Sequence, residues 1–189
     1  MAQLLSVHGL DTHRRNNLVL LDEDTAASCI AGQLVLLSLS TGARRYLPGR
    51  DGGGVGAVAV HPSRTLLAVG EKARPGPASA GPAVYIYSYP GLEVVKVLRG
   101  GTERAYSALA FDGERGDTLA SVGHFPDFLL TLWDWRQEAI VLRAKAFSQD
   151  VYGVAFSPYF EGQLTTSGEA QAMGVLGPHS CRQGPSHLY

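Results

Sequence analysis

The stretch that decides the fold runs Leu119-Ala120-Ser121, then Asp127, then Leu130-Thr131-Leu132-Trp133-Asp134. Apolar residues alternate with small or polar ones in the first and last segments, which is typical of strands with one buried face. Asp127 stands between these segments, where the chain must turn. The stretch therefore predicts two short paired strands with a tryptophan near the end of the second.

The spacing of these residues resembles the blade signature of WD repeats, the four-stranded units of β-propellers. In that family a serine, a turn aspartate and the tryptophan form hydrogen bonds together with a histidine from an upstream Gly-His pair. Ser121, Asp127 and Trp133 match three of these positions, and Asp134 completes the Trp-Asp dipeptide. The Gly-His position reads Gly101-Thr102, so the histidine is missing. The resemblance implies that Ser121, Asp127, Trp133 and Asp134 form a structural blade motif.

The same pattern recurs along the chain. First strands are predicted at 55–60, 106–111 and 151–156, second strands at 66–70, 119–123 and 164–168, and third strands at 34–39, 84–89 and 130–135. Phe111 follows Val60 by 51 residues and precedes Phe156 by 45, and Leu20 holds the same place 40 residues before Val60. The longest interval contains the Pro/Gly/Ala-rich segment 72–83, which we interpret as a loop insertion. The basic unit is therefore about 40–45 residues, the size of one propeller blade.

These repeats predict an all-β fold, an incomplete WD-repeat β-propeller of about three and a half blades. The predicted blades occupy 18–50, 51–101 and 102–147, with a half-blade at 148–168 and a lead-in segment at 1–17. The tail at 169–189 contains glycine and proline without any period, and we expect it to be disordered.

Composition and charge exclude several classes of protein. The chain has 16 basic and 17 acidic residues, so its net charge of −1 creates no field that would attract nucleic acid or an anionic membrane. Apolar runs such as 34–37 are far shorter than the roughly 20 residues that span a bilayer. Residues 1–10 lack the features of a signal peptide. Cys29 and Cys181 cannot build a disulfide framework, so we expect a reducing intracellular compartment.

No segment has the pattern of a catalytic, metal or cofactor site. The run Gly52-Gly53-Gly54-Val55-Gly56 precedes a β-patterned segment, whereas a phosphate cradle needs a helix after its glycines. The six histidines lack close ligand partners, and we expect His61 to cap a turn. The carboxylates of Asp22-Glu23-Asp24 are typical of a solvated turn. We therefore expect no enzyme activity, no metal and no cofactor.

Trp133 and Trp135 are two residues apart and share one face of a strand. They either pack inside the blade or stand exposed at an interface. Core packing is the favoured interpretation for Trp133, and both alternatives stay open for Trp135.

Several strings carry a closer resemblance: 46–49, 51–54, 60–62, 85–90, 98–103, 119–123, 145–152 and 163–168. They resemble the cilia- and flagella-associated protein 44 family of axonemal WD-repeat proteins. The likeness runs from about residue 5 to Gly168, and it has two departures. The segment 72–83 is longer and richer in proline and glycine than in the family. After Gly168 the likeness stops, where the family continues with a strand carrying an aromatic-Trp pair.

This resemblance implies a non-catalytic scaffold of the motile cilium or flagellum. In such a role the chain lies in the axoneme, as part of the cytoskeleton, and supports ciliary and sperm motility. The implied partners are the inner dynein arm, whose motor region is tethered to the doublet microtubule, and a partner WD-repeat protein of the tether complex. No residue of the chain is assigned to these contacts by the resemblance.

Two other functions compete with the scaffold. One is a general WD-repeat adaptor for intracellular protein complexes. The other is an enzyme that uses the funnel at the propeller centre, which would need clustered polar residues at the inner positions of the blades. Because those positions carry Val, Ala and Leu, the sequence disfavours the enzyme.

Overall fold

The computed structural model describes residues 9, 17–76, 81–113, 115–145, 150–160 and 162–168, together with the backbone of Val175–Leu176. In this part of the chain every regular element is a strand. Of the predicted lead-in at 1–17 only residues 9 and 17 are described, and of the tail at 169–189 only 175–176. The rest of those two predictions lies outside the described residues.

The strands form four antiparallel sheets in chain order. The first sheet contains β1 (Leu18–Leu20), β2 (Thr25–Ile30), β3 (Gln33–Ser38) and β4 (Arg44–Pro48), and the second contains β5 (Val55–Val60), β6 (Leu66–Glu71), β7 (Ala83–Ser88) and β8 (Val94–Arg99). The third contains β9 (Tyr106–Phe111), β10 (Thr118–Gly123), β11 (Leu129–Asp134) and β12 (Ala139–Lys145), and the fourth contains β13 (Val151–Phe156), β14 (Leu164–Gly168) and β15 (Val175–Leu176). The all-β, incomplete propeller predicted from the repeats is confirmed.

Local turn chemistry sets the register of these meanders. Between β2 and β3, Ala31 and Gly32 have φ values of 50° and 77°, so both residues are left-handed. Such a two-residue turn matches the right-handed twist of its flanking strands. It places Ile30 opposite Gln33 and keeps one face of the hairpin apolar.

The core lies between the blades rather than within them. Alternate residues of each strand point to opposite faces, so every sheet buries one layer against each neighbour. The first layer includes Leu34 and Tyr87, the second Ile86 and Trp133, and the third Leu130 and Leu164. The innermost strands also pack in succession, β1 against β5, β5 against β9 and β9 against β13. The centre of the arc is therefore a set of neighbouring inner strands.

Both tryptophans belong to the core. Trp133 is 1% exposed, which confirms the core packing predicted for it. Trp135 is 4% exposed, so of its two open alternatives the structure shows core packing. The Trp135 indole Nε1 donates a hydrogen bond to the Gly116 carbonyl oxygen at 2.6 Å. Its ring also meets those of His61 and Phe111 edge to face.

The two ends of the arc differ from its middle. On β1, Leu18 and Leu20 are exposed, while Val19 between them packs into the first core layer. In the fourth sheet, β15 pairs with Leu164 and Thr165, which gives this unit a third strand that the sequence did not predict. The unpaired backbone groups of an edge strand accept any short β-prone segment, and Val and Leu suit that position. The limits predicted for the blades stay a prediction.

Candidate partner-binding groove on the upper face

The candidate site lies on the face at which the innermost strands begin, which we call the upper face. It carries the loops 49–54, 72–76, 100–105 and 124–128. Each loop enters an inner strand or leaves the strand beside it. Function in repeat folds resides in such loops, because the strands between them are committed to the core.

In the third blade a carboxylate anchors the loop that enters β9. Asp127 accepts a hydrogen bond from Thr102 Oγ1 at 2.8 Å through one oxygen and from Glu103 N at 2.8 Å through the other. Thr102 thus stands where the family has histidine and still contacts the turn aspartate. In the sequence, the contact of Thr102 with Asp127 is indicated only by the position of Thr102 directly after Gly101.

Trp133 and Ser121 form a second, separate pair. The indole Nε1 donates to Ser121 Oγ at 2.8 Å, and the ring lies so close to Gly101 that a Cβ there would be 2.5 Å from Cζ2. Asp134 lies apart from them and accepts a hydrogen bond from Gln137 N at 3.0 Å in the turn after β11. The four predicted motif residues are therefore not one network. Their contribution to blade stability stays a prediction.

The second blade anchors its loop from a different position. Glu71, 1% exposed at the end of β6, accepts hydrogen bonds from Arg50 N at 2.8 Å and Asp51 N at 3.1 Å. Its partner across the sheet is Val55, just as Gly123 is the partner of Tyr106 in the third blade. Glu71 therefore does for loop 49–54 what Asp127 does for loop 100–105. Sequence reasoning missed it, because a glutamate at a strand end reads as a solvated charge.

A polar cluster fixes the outer side of the same loop. Tyr85 Oη donates to Asp51 Oδ2 at 2.8 Å, and Arg99 Nη2 lies 3.0 Å from the same oxygen. Burial opposes ionisation of Asp51, but these two hydrogen bonds and the positive charges of Arg99 and Arg50 together outweigh it and lower the pKa of Asp51. Burial, together with the bond to Asp51, raises the pKa of Tyr85 to about 12. The loop is thus held by charged and neutral donors at neutral pH.

A groove of about 790 Å³ opens between these loops and the start of β13. Its basic lining residues are Lys72, Arg74 and Arg104, and its other lining residues include His124, Phe125, Tyr106, Asp150 and Tyr152. His124 Nε2 lies 3.5 Å from Asp150 Oδ1, across the junction of the third and fourth blades. Burial raises the pKa of Tyr106 to about 12, so this phenol stays neutral at physiological pH.

The glycine run and the acidic run, which the sequence analysis considered as binding sites and interpreted as turns, are parts of turns in the structure. The run 52–54 leads directly into β5 and not into a helix. Asp22 accepts hydrogen bonds from Asp24 N at 2.8 Å and Thr25 N at 2.6 Å, as expected of a turn. The hydrogen bond from Tyr89, followed by that of Asp24 N, lowers the pKa of Asp22.

Among the described residues, no three His, Cys, Asp or Glu side chains are grouped as a metal site would require. Within the same residues, no helix has the length and apolar character needed to cross a bilayer.

Ser121 and Thr166 provide a matched test of the hydrogen bond to the tryptophan, because they face the equivalent residues Leu109 and Val154. Ser121→Ala should lower the free energy of unfolding by about 1–3 kcal/mol, since the buried Trp133 Nε1 loses its acceptor. Thr166 is also buried, but its hydroxyl has no hydrogen-bond partner among the described residues. Thr166→Val should therefore leave stability unchanged or raise it. Equal losses in urea unfolding would contradict this difference.

Comparison with known proteins gives relatives but no matching family model. Cilia- and flagella-associated protein 44 of Chlamydomonas reinhardtii is 99% identical over 169 residues, which cover 89% of this chain and 10% of that protein. The protein of the same name from Mus musculus is 44% identical over 160 residues, covering 85% of this chain and 8% of the relative. The chain thus spans about a tenth of the length of these relatives.

More distant similarities are found in sequence and in structure. The 77 kDa echinoderm microtubule-associated protein of Lytechinus variegatus is 30% identical over 157 residues, covering 82% of this chain and 24% of the relative. The crystal structure of the computationally designed Ika8 protein superimposes with a TM-score of 0.65 and 17% identity, covering 85% of this chain and 44% of that one. At this identity the superposition shows a shared fold alone.

Their names associate the two proteins from Chlamydomonas reinhardtii and Mus musculus with cilia and flagella and the one from Lytechinus variegatus with microtubules, and none of these names describes an enzyme. The resemblance predicted from the sequence strings is confirmed: over 89% of its residues this chain matches a segment of cilia- and flagella-associated protein 44.

Proposed function

We propose that the chain is a non-catalytic scaffold of the axoneme in motile cilia and flagella. The observation that carries the proposal is the 99% identity over 89% of the chain to a protein named for its association with cilia and flagella. The geometry supports a scaffold, because the upper face offers a groove between loops that are held in place by hydrogen bonds. Loops that a rigid scaffold holds in place are where binding residues concentrate.

The finer role that we propose is to help tether the motor region of the inner dynein arm to the doublet microtubule. Two similarities favour this role. Cilia- and flagella-associated protein 43 of Xenopus laevis is 28% identical over 166 residues, so a related chain exists as a candidate partner WD-repeat protein. The relative from Lytechinus variegatus is named a microtubule-associated protein. Under this proposal, surfaces of the blades make the microtubule and dynein contacts.

Loss of the protein from a motile ciliated cell should impair beating, because the dynein arms would lose a fixed attachment. A tagged copy should remain with the axoneme after detergent removes the membrane. Waveform analysis and electron tomography of the mutant axonemes measure both effects. Normal beating with normal dynein-arm placement would contradict the scaffold.

If the tagged chain instead co-purified with the same partners from ciliated and non-ciliated cells, the function would be that of a general WD-repeat adaptor.

A further inference from the structure

The groove of the upper face has a charge pattern that identifies the kind of segment it binds. We propose that it holds an extended acidic segment of a partner protein, with Arg74 and Arg104 receiving the acidic side chains. This inference rests on the proposed scaffold function, because it names the chemistry of what the scaffold holds. It concerns this chain's own residues and not the remainder of any longer relative.

Two arginines in the groove are not paired with any carboxylate of the described residues. Arg74 and Arg104 are exposed lining residues, and within the described residues neither guanidinium makes an ion pair or a hydrogen bond. Elsewhere on the surface Arg99 is paired with Asp51 and Arg136 with Asp117. A guanidinium binds a carboxylate through two parallel hydrogen bonds, so unpaired arginines in a concave site favour acidic side chains.

The loops that carry these arginines are joined before any ligand arrives. Ala73 N donates to the Arg104 carbonyl oxygen at 2.7 Å. Because Ala73 precedes Arg74, this hydrogen bond joins the backbone of the two loops that carry the arginines. His124 N donates to the Ala105 carbonyl oxygen at 2.8 Å and adds the third loop. Because the backbone is already ordered, binding a peptide here costs little loop entropy. The groove is therefore pre-organised for a ligand of defined shape.

The remaining lining residues favour a peptide over a nucleic acid. Asp150 places a carboxylate beside His124 on the side of the fourth blade, so the negative charge of a ligand must be confined to the side of Arg74 and Arg104, which a short acidic segment allows and a continuous phosphate backbone does not. Phe125, 55% exposed on the same side, offers an apolar contact that suits a peptide side chain. The chain as a whole carries a net charge of −1, so it lacks the basic field of a nucleic-acid-binding protein. An acidic segment flanked by an apolar residue fits all three features.

Fluorescence anisotropy with a fluorescein-labelled hexaglutamate peptide tests the proposal on the full chain. We expect saturable binding that weakens as salt is raised, because the contacts are between exposed charges. The double variant R74E/R104E should reduce the affinity by tenfold or more. The matched double variant R64E/R115E makes the same change in net charge at two exposed arginines of the opposite face, and it should bind as the unchanged chain does.

Circular dichroism checks that both double variants remain folded, and R74A/R104A provides a milder version of the first. Equal affinity in both double variants would overturn the assignment of the site. A hexathymidylate probe that binds as tightly as hexaglutamate, and loses affinity equally in R74E/R104E, would overturn the choice of a peptide.

The same variants separate this inference from the proposed function. If the unchanged chain binds no hexaglutamate but still remains with extracted axonemes, the acidic-segment proposal fails and the scaffold stands. If the chain is absent from axonemes although it binds hexaglutamate in a groove-dependent manner, the axonemal scaffold fails and the groove assignment stands. Tagged R74E/R104E that binds axonemes more weakly than R64E/R115E supports both.

Discussion

Replacing Trp133 with alanine should lower the free energy of unfolding by about 3–5 kcal/mol, the range for emptying a buried aromatic site. The indole is 1% exposed and belongs to the core layer between the second and third blades. Its ring lies against Gly101, and its Nε1 donates to Ser121. Truncation therefore removes ring contacts of two blades together with one buried hydrogen bond.

Urea unfolding followed by circular dichroism measures this loss. Val141→Ala is the control, because Val141 lies on the outer strand β12 and is 67% exposed. Its effect should stay within about 0.5 kcal/mol, as for surface substitutions in general. Similar effects of the two variants would mean that Trp133 is not part of the core.

Replacing Glu71 with alanine should lower the free energy of unfolding by about 3 kcal/mol, because two backbone N–H groups lose a charged acceptor that is itself buried. Those groups belong to Arg50 and Asp51, at 2.8 Å and 3.1 Å from the carboxylate. We also expect their amide hydrogens to exchange faster with solvent, since loop 49–54 loses its anchor.

Glu71→Gln is the matched control, because its amide keeps one carbonyl oxygen as an acceptor and should recover part of the loss. Hydrogen exchange followed residue by residue distinguishes a local from a general effect. If the amides of Arg50 and Asp51 exchange at unchanged rates in Glu71→Ala, the carboxylate is not the anchor.

The strands and their faces could be predicted from the sequence, because alternation of apolar residues is a local signal. The strand at 55–60 was expected from its repeats, and β5 (Val55–Val60) has those bounds. The pairing of Trp133 with Ser121 follows from the same signature. The burial of Trp135 could not be decided, since the carbonyl oxygen of Gly116 that receives its N–H lies in another turn.

The groove could not be predicted, because its parts are far apart along the chain. Arg74, Arg104, Phe125 and Asp150 belong to three blades and meet only when consecutive inner strands pack side by side. Each residue alone reads as an ordinary surface side chain. The short strand at Val175–Leu176 escaped prediction for a related reason, since its position depends on the unpaired edge of β14.

The two carboxylate anchors show that blades of one chain can place the same functional group at different positions of the repeat. At Gly123 a Cβ would lie 2.5 Å from Thr102 Oγ1 and 2.7 Å from Asp127 Oδ1, so the third blade excludes a side chain at the position where the second blade has Glu71. The second blade thus takes its acidic anchor from the end of its second strand, and the third blade takes it from the loop that follows. Adding a side chain at Gly123 alone would therefore clash with Asp127 and Thr102 as they stand. A consensus motif that requires the turn aspartate of the third blade therefore misses a blade such as the second. The loop of that blade is held by a glutamate through the same kind of hydrogen bond.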